Sequence, residues 1–390
     1  MSVYDIIDDW GAAESEYQVI DERDIEEITL GASILATGGG GDPEIGLLWA
    51  KGVLERGHDI VMVDPMVVPD DARVASPGTL GAPTVLTEKP PNDNNLRRAF
   101  DGLERYLGES IDASIPVECG GVNSPIAYAA AGELELPVVD VDGMNRAFPE
   151  LQMTTWAVHG VAATPLVSVD DHGHQCVIDL GDRNMTAEHI VRNIAMQYGG
   201  ISWIASYPMT GRELKDTSVL YSQSLAWEVG RAVFAARSEH ADPVAKVLET
   251  IREDRDIPGY ELFTGKVVDI DRDFGSETSK GFSTGRITLE GVGDDGGSTA
   301  ELDFQNEWLI ARLDGEVHCL PPDLLALLDP ETGEPLRTDT IRYGYRSTLI
   351  ALPAHERMRV PSGIETFGPG YFGYDETYTP IEELMEDIDG

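Results

Sequence analysis

The chain has 390 residues, a length that favours two domains because single hydrophobic cores stop growing beyond roughly 250–300 residues. Hydrophobic residues make up 42% of the sequence, which is typical of a globular protein rather than a disordered one. Seventy acidic residues against 28 basic ones give a formal net charge of −42. Such a surface repels nucleic acid and anionic membranes, so both are excluded as partners.

The acidic residues are spread along the whole chain, and only six of the basic residues are lysine. Carboxylates keep a surface hydrated in molar salt, while the salt screens their mutual repulsion. We therefore interpret the charge as that of a halophile's protein. It indicates habitat rather than chemistry.

Nothing in the sequence marks the chain for export or for a membrane. No apolar run approaches the roughly 20 residues that span a bilayer, and the first ten residues carry acids where a signal peptide carries bases. Cys119, Cys176 and Cys319 are too few for a disulfide framework and form no C-x-x-C pair. We expect a cytoplasmic protein.

Strands and helices alternate through the first part of the chain. A helix capped by Asp21 leads into the four glycines Gly38–Gly41, and a second helix begins near Pro43. This alternation predicts a three-layer α/β domain over residues 1–165. The further predicted strands are 58–64, 73–76, 114–118 and 137–142, and the further predicted helices are 96–107 and 124–132.

The pattern changes after residue 165, which predicts a second domain over residues 166–375. It begins with a hairpin around His172-Gly173, followed by a helical segment over 185–254 and short strands over 258–355. Regularly spaced strands with Gly/Asp turns indicate a small β-barrel. The fold class is therefore α/β plus β, and residues 376–390 form an acidic tail.

The glycines Gly38–Gly41 follow a helix and precede Asp42-Pro43. Backbone amides in such a loop can approach an anion. The loop lacks the G-K-[ST] of a P-loop and does not fit G-x-G-x-x-G after a strand. A tight packing turn is the simpler interpretation.

Polar residues are densest in Glu118–Asn123 and Asp140–Glu150, and both segments follow predicted strands. The carboxyl ends of strands in an α/β sheet form ligand crevices. Four carboxylates in these segments are candidates for a cation site or for acid–base catalysis. The alternative is that they cap helices and pair with Arg146. These carboxylates are Glu118, Asp140, Asp142 and Glu150.

Cys119 is flanked by glycine at a strand end, a setting that suggests a nucleophile. A buried structural thiol is the simpler interpretation. The histidines are scattered and show no H-x-x-x-H face, so spacing assigns no Ser/His/Asp or Cys/His group.

Several motifs resemble the S-methyl thiohydantoin desulfurase family, which is often encoded beside hydantoinase and oxoprolinase subunits. The most specific is the string Asp140–Met153, DVDGMNRAFPELQM. The similarity covers nearly the whole chain. The other matching segments are 38–43, 81–85 with 88–89, 208–211, 262–267, 305–307, 322–324 and 342–344.

The resemblance implies an N-terminal three-layer α/β domain and a C-terminal domain that contains a β-barrel. It also implies hydrolysis of an S-methylated thiohydantoin, which yields a hydantoin and methanethiol. Two positions depart from the family pattern: Asn145 stands where glycine is expected, and Cys119 stands where an aliphatic residue is commoner.

The residues suit this chemistry, which needs a base to deprotonate water and a group that stabilises charge on the ring. We assign Asp140 and Asp142 to a divalent cation or to base catalysis, with support from Glu118 and Glu150. Zinc is the first choice of metal, although carboxylate ligands suit Mg²⁺ or Mn²⁺ better. The candidate substrate-binding residues are Gly39, Gly40, Gly41, Lys89, Asn123 and Arg146.

Two other function classes remain open from sequence alone. In the first class, the chain is a non-catalytic partner of hydantoinase-type subunits. In the second class, it is a binding protein for a small anionic metabolite. The enzyme interpretation instead takes a small cyclic amide as substrate and allows a homo-oligomer. Turnover by the isolated chain separates these classes.

Overall fold

The computed structural model describes residues 2–89, 94–273 and 283–389. The chain divides into two compact units, and each is made of several chain segments. The first unit comprises Met1–Thr29, Gly41–Met144 and Glu150–Ser224, and the second comprises Leu30–Gly40, Asn145–Pro149 and Leu225–Gly390.

The first unit contains a mixed sheet and helices, as the alternating pattern predicted. Its strands are β1 (Tyr17–Ile20), β2 (Ile60–Val63), β3 (Arg73–Gly81), β4 (Ala113–Ser114), β5 (Val138–Val139), β6 (Val141–Asp142), β7 (Leu166–Val169), β8 (Gln175–Ile178), β9 (Ile201–Thr210) and β10 (Val219–Leu220). Its helices are α1 (Val3–Asp9), α2 (Glu22–Leu35, which continues into the second unit), α3 (Pro43–Glu55), α4 (Pro83–Glu88), α5 (Asn95–Leu107), α6 (Asn123–Leu134), α7 (Thr155–Val158), α8 (Asn184–Gln197) and α9 (Gly211–Thr217).

The sheet has the order β1-β2-β5-β4-β3-β9-β7-β8. The neighbours β2, β5, β4 and β3 are parallel, whereas β1, β9, β7 and β8 join antiparallel. All four residues of β2 are buried, as expected for a strand inside a parallel sheet. The core of this unit includes Val61, Val139 and Trp156. The parallel centre places the loops after β4 and β5 at one edge of the sheet.

The sequence placed the domain boundary at residues 165/166, and the structure moves it. Strands β7, β8 and β9 hydrogen-bond into the first sheet, with β9 pairing along β3 from Arg73 to Gly81. The first unit therefore continues to Ser224. The change of pattern after residue 165 reflects antiparallel additions to the same sheet, which sequence alternation alone does not separate from a new domain.

The second unit contains a curled antiparallel sheet that forms a half-barrel, which confirms the expected β-rich second domain. Its strand order is β15-β14-β13-β12-β11-β17-β16, and alternating residues such as Ile287 and Leu289 fill its core. Its strands are β11 (Tyr260–Asp273), β12 (Thr284–Gly291), β13 (Thr299–Gln305), β14 (Glu307–Leu313), β15 (Glu316–Cys319), β16 (Leu324–Leu328) and β17 (Arg346–Leu352). Its helices are α10 (Ser222–Glu239, whose first turn belongs to the first unit), α11 (Pro243–Arg255), α12 (Pro361–Phe367) and α13 (Ile381–Asp389).

The acidic segment 376–390 is not a detached tail. Ile381 lies in the core of the half-barrel, and Met385 packs against that core. Arg312 donates to the Glu376 carboxylate, and the Tyr378 hydroxyl donates to Asp323 Oδ1 at 3.0 Å. On this anchored helix, the side chains of Glu383 and Glu386 are exposed.

Candidate active site

Two loops at the carboxyl ends of parallel strands carry the residues that the sequence singled out. Glu118 and Cys119 lie between β4 and α6, and Asp140 follows β5 directly. The two loops meet, because Asp142 Oδ2 accepts a hydrogen bond from the Cys119 backbone N–H at 3.0 Å. This edge of the sheet is where an α/β fold places its ligand crevices.

Asp142 is completely buried, and its carboxylate accepts hydrogen bonds from backbone N–H groups. Besides Cys119 N–H, Asp142 Oδ2 accepts from the Met144 backbone N–H at 3.0 Å. Hydrogen bonds from backbone N–H to an ionised carboxylate are strong and fix loop geometry. Asp142 therefore ties the loop after β4 to the turn that follows β6.

Asp140 anchors the start of α10. Its Oδ1 accepts from the backbone N–H groups of Gln223 and Ser224, both at 2.9 Å, and the Ser224 hydroxyl donates to its Oδ2. Backbone N–H groups at a helix start have no partner within the helix. A carboxylate there accepts their hydrogen bonds and is stabilised by the helix dipole. Asp140 therefore caps the N-terminus of α10 from a distant segment of the chain.

Glu118 is held differently, by a side-chain amide. It is 4% exposed, and its Oε1 accepts from Asn123 Nδ2 at 2.7 Å. Asn123 Oδ1 accepts from both the backbone N–H and the hydroxyl of Thr79, at 3.0 and 3.2 Å. Asn123 and Thr79 are only half-buried, so this chain of hydrogen bonds leads from a buried carboxylate towards solvent.

Glycine is needed beside Glu118. A Cβ at Gly120 would lie 2.5 Å from Glu118 Oε1, well inside van der Waals contact. Gly120 therefore lets the backbone approach the carboxylate closely.

Cys119 is a buried thiol rather than an activated one. Burial raises the pKa of Cys119 well above its ordinary value, and the neighbouring Asp142 carboxylate raises it further. Its Sγ accepts from Gln223 Nε2 at 3.5 Å, and Gln223 Oε1 accepts from the Ser124 hydroxyl at 2.7 Å. A thiol that stays protonated at neutral pH is a poor nucleophile.

The carboxylate oxygens of Asp140 and Asp142 are not arranged as the ligands of a metal centre. Among residues 2–89, 94–273 and 283–389, no group of three or more His, Cys, Asp or Glu side chains is arranged to hold a metal ion. Both aspartates already accept hydrogen bonds from backbone N–H groups. A metal ion at these aspartates would have to displace those hydrogen bonds, and the zinc expected from sequence stays a prediction that elemental analysis can test.

Glu150 and Lys89 have other neighbours. The Glu150 carboxylate accepts from Gln152 Nε2. Lys89 pairs with Asp171 on the surface, with 3.3 Å between Nζ and Oδ2 and a side chain that is 41% exposed. None of these contacts is with Glu118, Asp140 or Asp142.

Arg146 lies in the second unit and is completely buried. Its Nη1 donates to the Asp323 carbonyl at 2.8 Å, and its Nη2 donates to the Trp308 carbonyl at 2.9 Å. Burial lowers the pKa of Arg146 to about 10, although the Glu307 carboxylate opposes this shift. The guanidinium therefore binds the protein's own backbone and anchors the segment 145–149 within this unit.

The glycine loop is divided between the two units: Gly39 and Gly40 belong to the second and Gly41 to the first. A Cβ on Gly39 would lie 2.2 Å from Glu307 Oε1, and a Cβ on Gly41 would lie 2.8 Å from Val122 Cγ2. These distances support the packing-turn interpretation, because the side chains of Glu307 and Val122 occupy the space that a Cβ would need.

Sequence reasoning missed Thr79, Gln223 and Glu307. Gln223 lies inside the segment 185–254, which the sequence predicts as helical without marking where each helix starts. In the structure β10 ends at Leu220 and α10 begins at Ser222. The serines at 222 and 224 are the signal that could have located this helix start. Glu307, which is 1% exposed, lies in a family-like string to which no role was assigned.

Comparison with known proteins gives a family and a fold. Residues 23–180 match the family model "S-Me-THD-like, N-terminal domain", and residues 182–381 match "S-Me-THD-like, C-terminal domain". No match was found among the curated proteins. The fold is similar to the crystal structure of a protein from Chromobacterium violaceum. That similarity has a TM-score of 0.79 and 22% identity, and covers 93% of this chain and 100% of the other.

The two domain models together cover residues 23–180 and 182–381. They include every motif on which the resemblance was based. The chain therefore belongs to the S-Me-THD-like family, that of S-methyl thiohydantoin desulfurase.

Proposed function

We propose that this protein hydrolyses an S-methyl thiohydantoin-type five-membered ring. The products are methanethiol and a hydantoin. The observation that carries the proposal is the match of both family domains, over residues 23–180 and 182–381. The buried carboxylates that follow β4 and β5, namely Glu118, Asp140 and Asp142, are the residues available for the chemistry.

Glu118 is the general base in this proposal. It is a buried carboxylate at the carboxyl edge of the sheet, and the half-buried amide of Asn123 holds it. A base must reach the proton that it removes, directly or through one water. We choose Glu118 because its hydrogen bond comes from the half-buried Asn123 amide, whereas Asp140 and Asp142 accept from backbone N–H groups and fix the loops.

The reaction balances without a redox partner. Glu118 removes a proton from water, and the water oxygen bonds to the ring carbon that bears sulfur. The carbon–sulfur bond then breaks, methanethiolate takes the proton of the added hydroxyl to leave as methanethiol, and Glu118 returns the first proton to the adjacent ring nitrogen. The carbon keeps the oxygen as a carbonyl, and the adjacent ring nitrogen ends protonated.

Asn123 is the proposed substrate-side residue in the first unit, and Gly41 is a packing position close to the start of its helix. The Asn123 amide is half-buried beside Glu118. Gly41 packs against Val122, the residue that precedes Asn123 in the chain. Polar groups at a crevice edge orient a small ring more than they add affinity. The contacts of Lys89 and Arg146 do not favour substrate binding by either residue.

Incubation of the purified chain with an S-methyl thiohydantoin tests the proposal. We expect methanethiol and hydantoin in equal amounts from the chain alone. Activity only after addition of a hydantoinase-type subunit would favour the non-catalytic partner function. Saturable binding without product would favour a metabolite-binding protein.

We also propose that the protein works in the cytoplasm. Cys119, Cys176 and Cys319 are free thiols, as expected in a reducing compartment. Within the described residues, no helix is both long enough and apolar enough to cross a bilayer.

A further inference from the structure

Two histidines lie close together on the turn between β7 and β8 in the first unit. The ring centroids of His172 and His174 are 6.0 Å apart. Both side chains are exposed, that of His174 by 73%. On either side of the turn, Val169 of β7 pairs with Gln175 of β8. The hairpin therefore presents two imidazoles to solvent from one short segment.

The buried carboxylate of Asp170 fixes the backbone of this turn. Its Oδ1 accepts hydrogen bonds from the backbone N–H groups of His172 and His174, at 2.9 and 2.8 Å. The Gly173 backbone N–H donates to the Asp170 carbonyl at 3.0 Å, and Gly173 has φ 83°, a conformation that favours glycine. The backbones of both histidines are therefore held in place before any ligand binds.

The same carboxylate orients one of the two rings. Asp170 Oδ2 lies 2.7 Å from His174 Nδ1. This contact places the proton of the neutral ring on Nδ1 and leaves the lone pair of Nε2 available. Histidines that bind metals usually donate their other ring N–H to a carboxylate in this way. His172 makes its hydrogen bond to Asp170 through the backbone, so its exposed ring can turn towards the same ion.

The local charges are balanced and do not by themselves select a cation. Asp170 and Asp171 are acidic, but Lys89 Nζ lies 3.3 Å from Asp171 Oδ2. The Arg98 guanidinium lies against the turn, because a Cβ on Gly173 would be 2.2 Å from Arg98 Nη1. Affinity must therefore come from the neutral ring nitrogens. Imidazole nitrogen favours Cu²⁺, Ni²⁺ and Zn²⁺, whereas Mg²⁺ and Ca²⁺ prefer oxygen ligands.

The distance between the rings suits two ligands of one transition-metal ion. Metal–nitrogen bonds of about 2.0–2.1 Å place two imidazole ring centres roughly 5 Å apart on one ion. The observed 6.0 Å exceeds this by roughly 1 Å, which rotation of the exposed His172 side chain can close. His174 keeps its hydrogen bond to Asp170 during this rotation.

We propose that His172 and His174 form a surface site for a transition-metal dication, which binds Cu²⁺ more tightly than Zn²⁺. That order follows the general affinity series of divalent metals. His174 Nε2 and a ring nitrogen of His172 are the protein ligands, and Asp170 is a positioning residue. In the described part of the chain, no group of three or more His, Cys, Asp or Glu side chains is arranged for a metal. Water therefore completes the coordination. The proposal does not rest on the hydrolase function.

Calorimetric titration of the intact, chelator-treated protein with Cu²⁺ tests the proposal, in a buffer that contains excess Mg²⁺. Mg²⁺ occupies the surface carboxylates of this acidic chain but competes poorly for imidazole. We expect one Cu²⁺ per chain under these conditions. Electron paramagnetic resonance of the bound Cu²⁺ should show two nitrogen ligands. His172→Gln and His174→Gln should each weaken binding at least about tenfold, since even loss of an outer-shell partner costs that much.

His189→Gln is the matched control, because His189 is also an exposed histidine of the first unit but lies on α8. It should bind Cu²⁺ as the wild type does, and circular dichroism checks that each variant is folded. No binding of Cu²⁺ in excess Mg²⁺ would overturn the proposal. Binding that both His172→Gln and His174→Gln leave intact would also overturn it, and so would an equal loss in His189→Gln.

Discussion

Asp142 and Glu118 are both almost completely buried, but their carboxylates accept hydrogen bonds from different kinds of donor. Asp142 accepts from the backbone of two loops, whereas Glu118 accepts from a side-chain amide near the surface. Asp142 therefore determines where the loops lie, and Glu118 is placed to handle a proton. Residue type and spacing could identify these acids, but not which donors they would meet.

Exchanging each acid for its amide separates the two roles. Asp142→Asn should lower the free energy of unfolding by about 1–3 kcal/mol, because two charge-assisted hydrogen bonds become neutral ones. Glu118→Gln should lower that free energy by a smaller amount, because its hydrogen bond from the Asn123 amide also becomes a neutral one, and should reduce kcat by about 10²–10⁴-fold. Urea unfolding and initial rates measure both effects. Equal stability of wild type and Asp142→Asn would show that the backbone contacts contribute little.

The thiols provide a second prediction at this scale. Burial keeps the pKa of Cys119 and of Cys319 well above the ordinary value, so both are protonated thiols at pH 8. Cys176 is partly exposed. Iodoacetamide at pH 8 should therefore modify Cys176 in the folded protein, and should modify the other two only after denaturation. Mass spectrometry of the alkylated peptides checks this. Rapid native modification of Cys119 would restore it as a candidate nucleophile.

At the scale of elements, the glycine loop shows why a motif can mislead. The backbone of Gly38 carries φ 80°, and a Cβ there would lie 2.3 Å from Trp308 Nε1. The Trp308 backbone N–H donates to the Thr37 carbonyl at 2.7 Å, and the Thr338 backbone N–H donates to the Gly38 carbonyl at 3.0 Å. Glycine is required here because Trp308 and its neighbours occupy the space beside the loop.

Two glycine-to-alanine changes isolate that packing effect. Gly11 has φ 72°, but a Cβ added there would meet no atom within 4 Å, so Gly11→Ala carries only backbone strain, about 1–2 kcal/mol. Gly38→Ala carries similar strain plus the clash with Trp308, and should cost at least about 3 kcal/mol. Urea unfolding of both variants measures the difference. Equal losses would mean that Trp308 moves aside freely.

Strands and helices were predictable where the pattern was strong. The parallel strands and the hairpin of β7 and β8 follow from apolar runs and turn residues. Strand β16 was missed, because its sequence Leu324–Leu328 is continuously apolar and fully buried, which gives no period to read. The start of α10 was also missed, since it depends on Asp140, a residue from a distant segment.

At the scale of the whole molecule, the net charge of −42 should make stability depend on salt. Carboxylates repel one another at low ionic strength and are screened as the Debye length falls to about 3 Å in molar salt. The Tm should therefore rise steadily as KCl increases from about 0.1 M to about 1 M. A glycerol series of matched osmolality is the control, because it changes hydration without screening. A flat or falling Tm in KCl would contradict the halophile interpretation.

The central claim is that water attacks the ring carbon that bears sulfur and that Glu118 activates this water. Turnover of an S-methyl thiohydantoin in ¹⁸O-labelled water, followed by mass spectrometry, tests it most directly. We expect one ¹⁸O atom in the hydantoin carbonyl and an equimolar amount of methanethiol. We also expect Glu118→Gln to reduce the rate by about 10²-fold or more. Hydantoin without the label, or a Glu118→Gln variant as fast as the wild type, would contradict it.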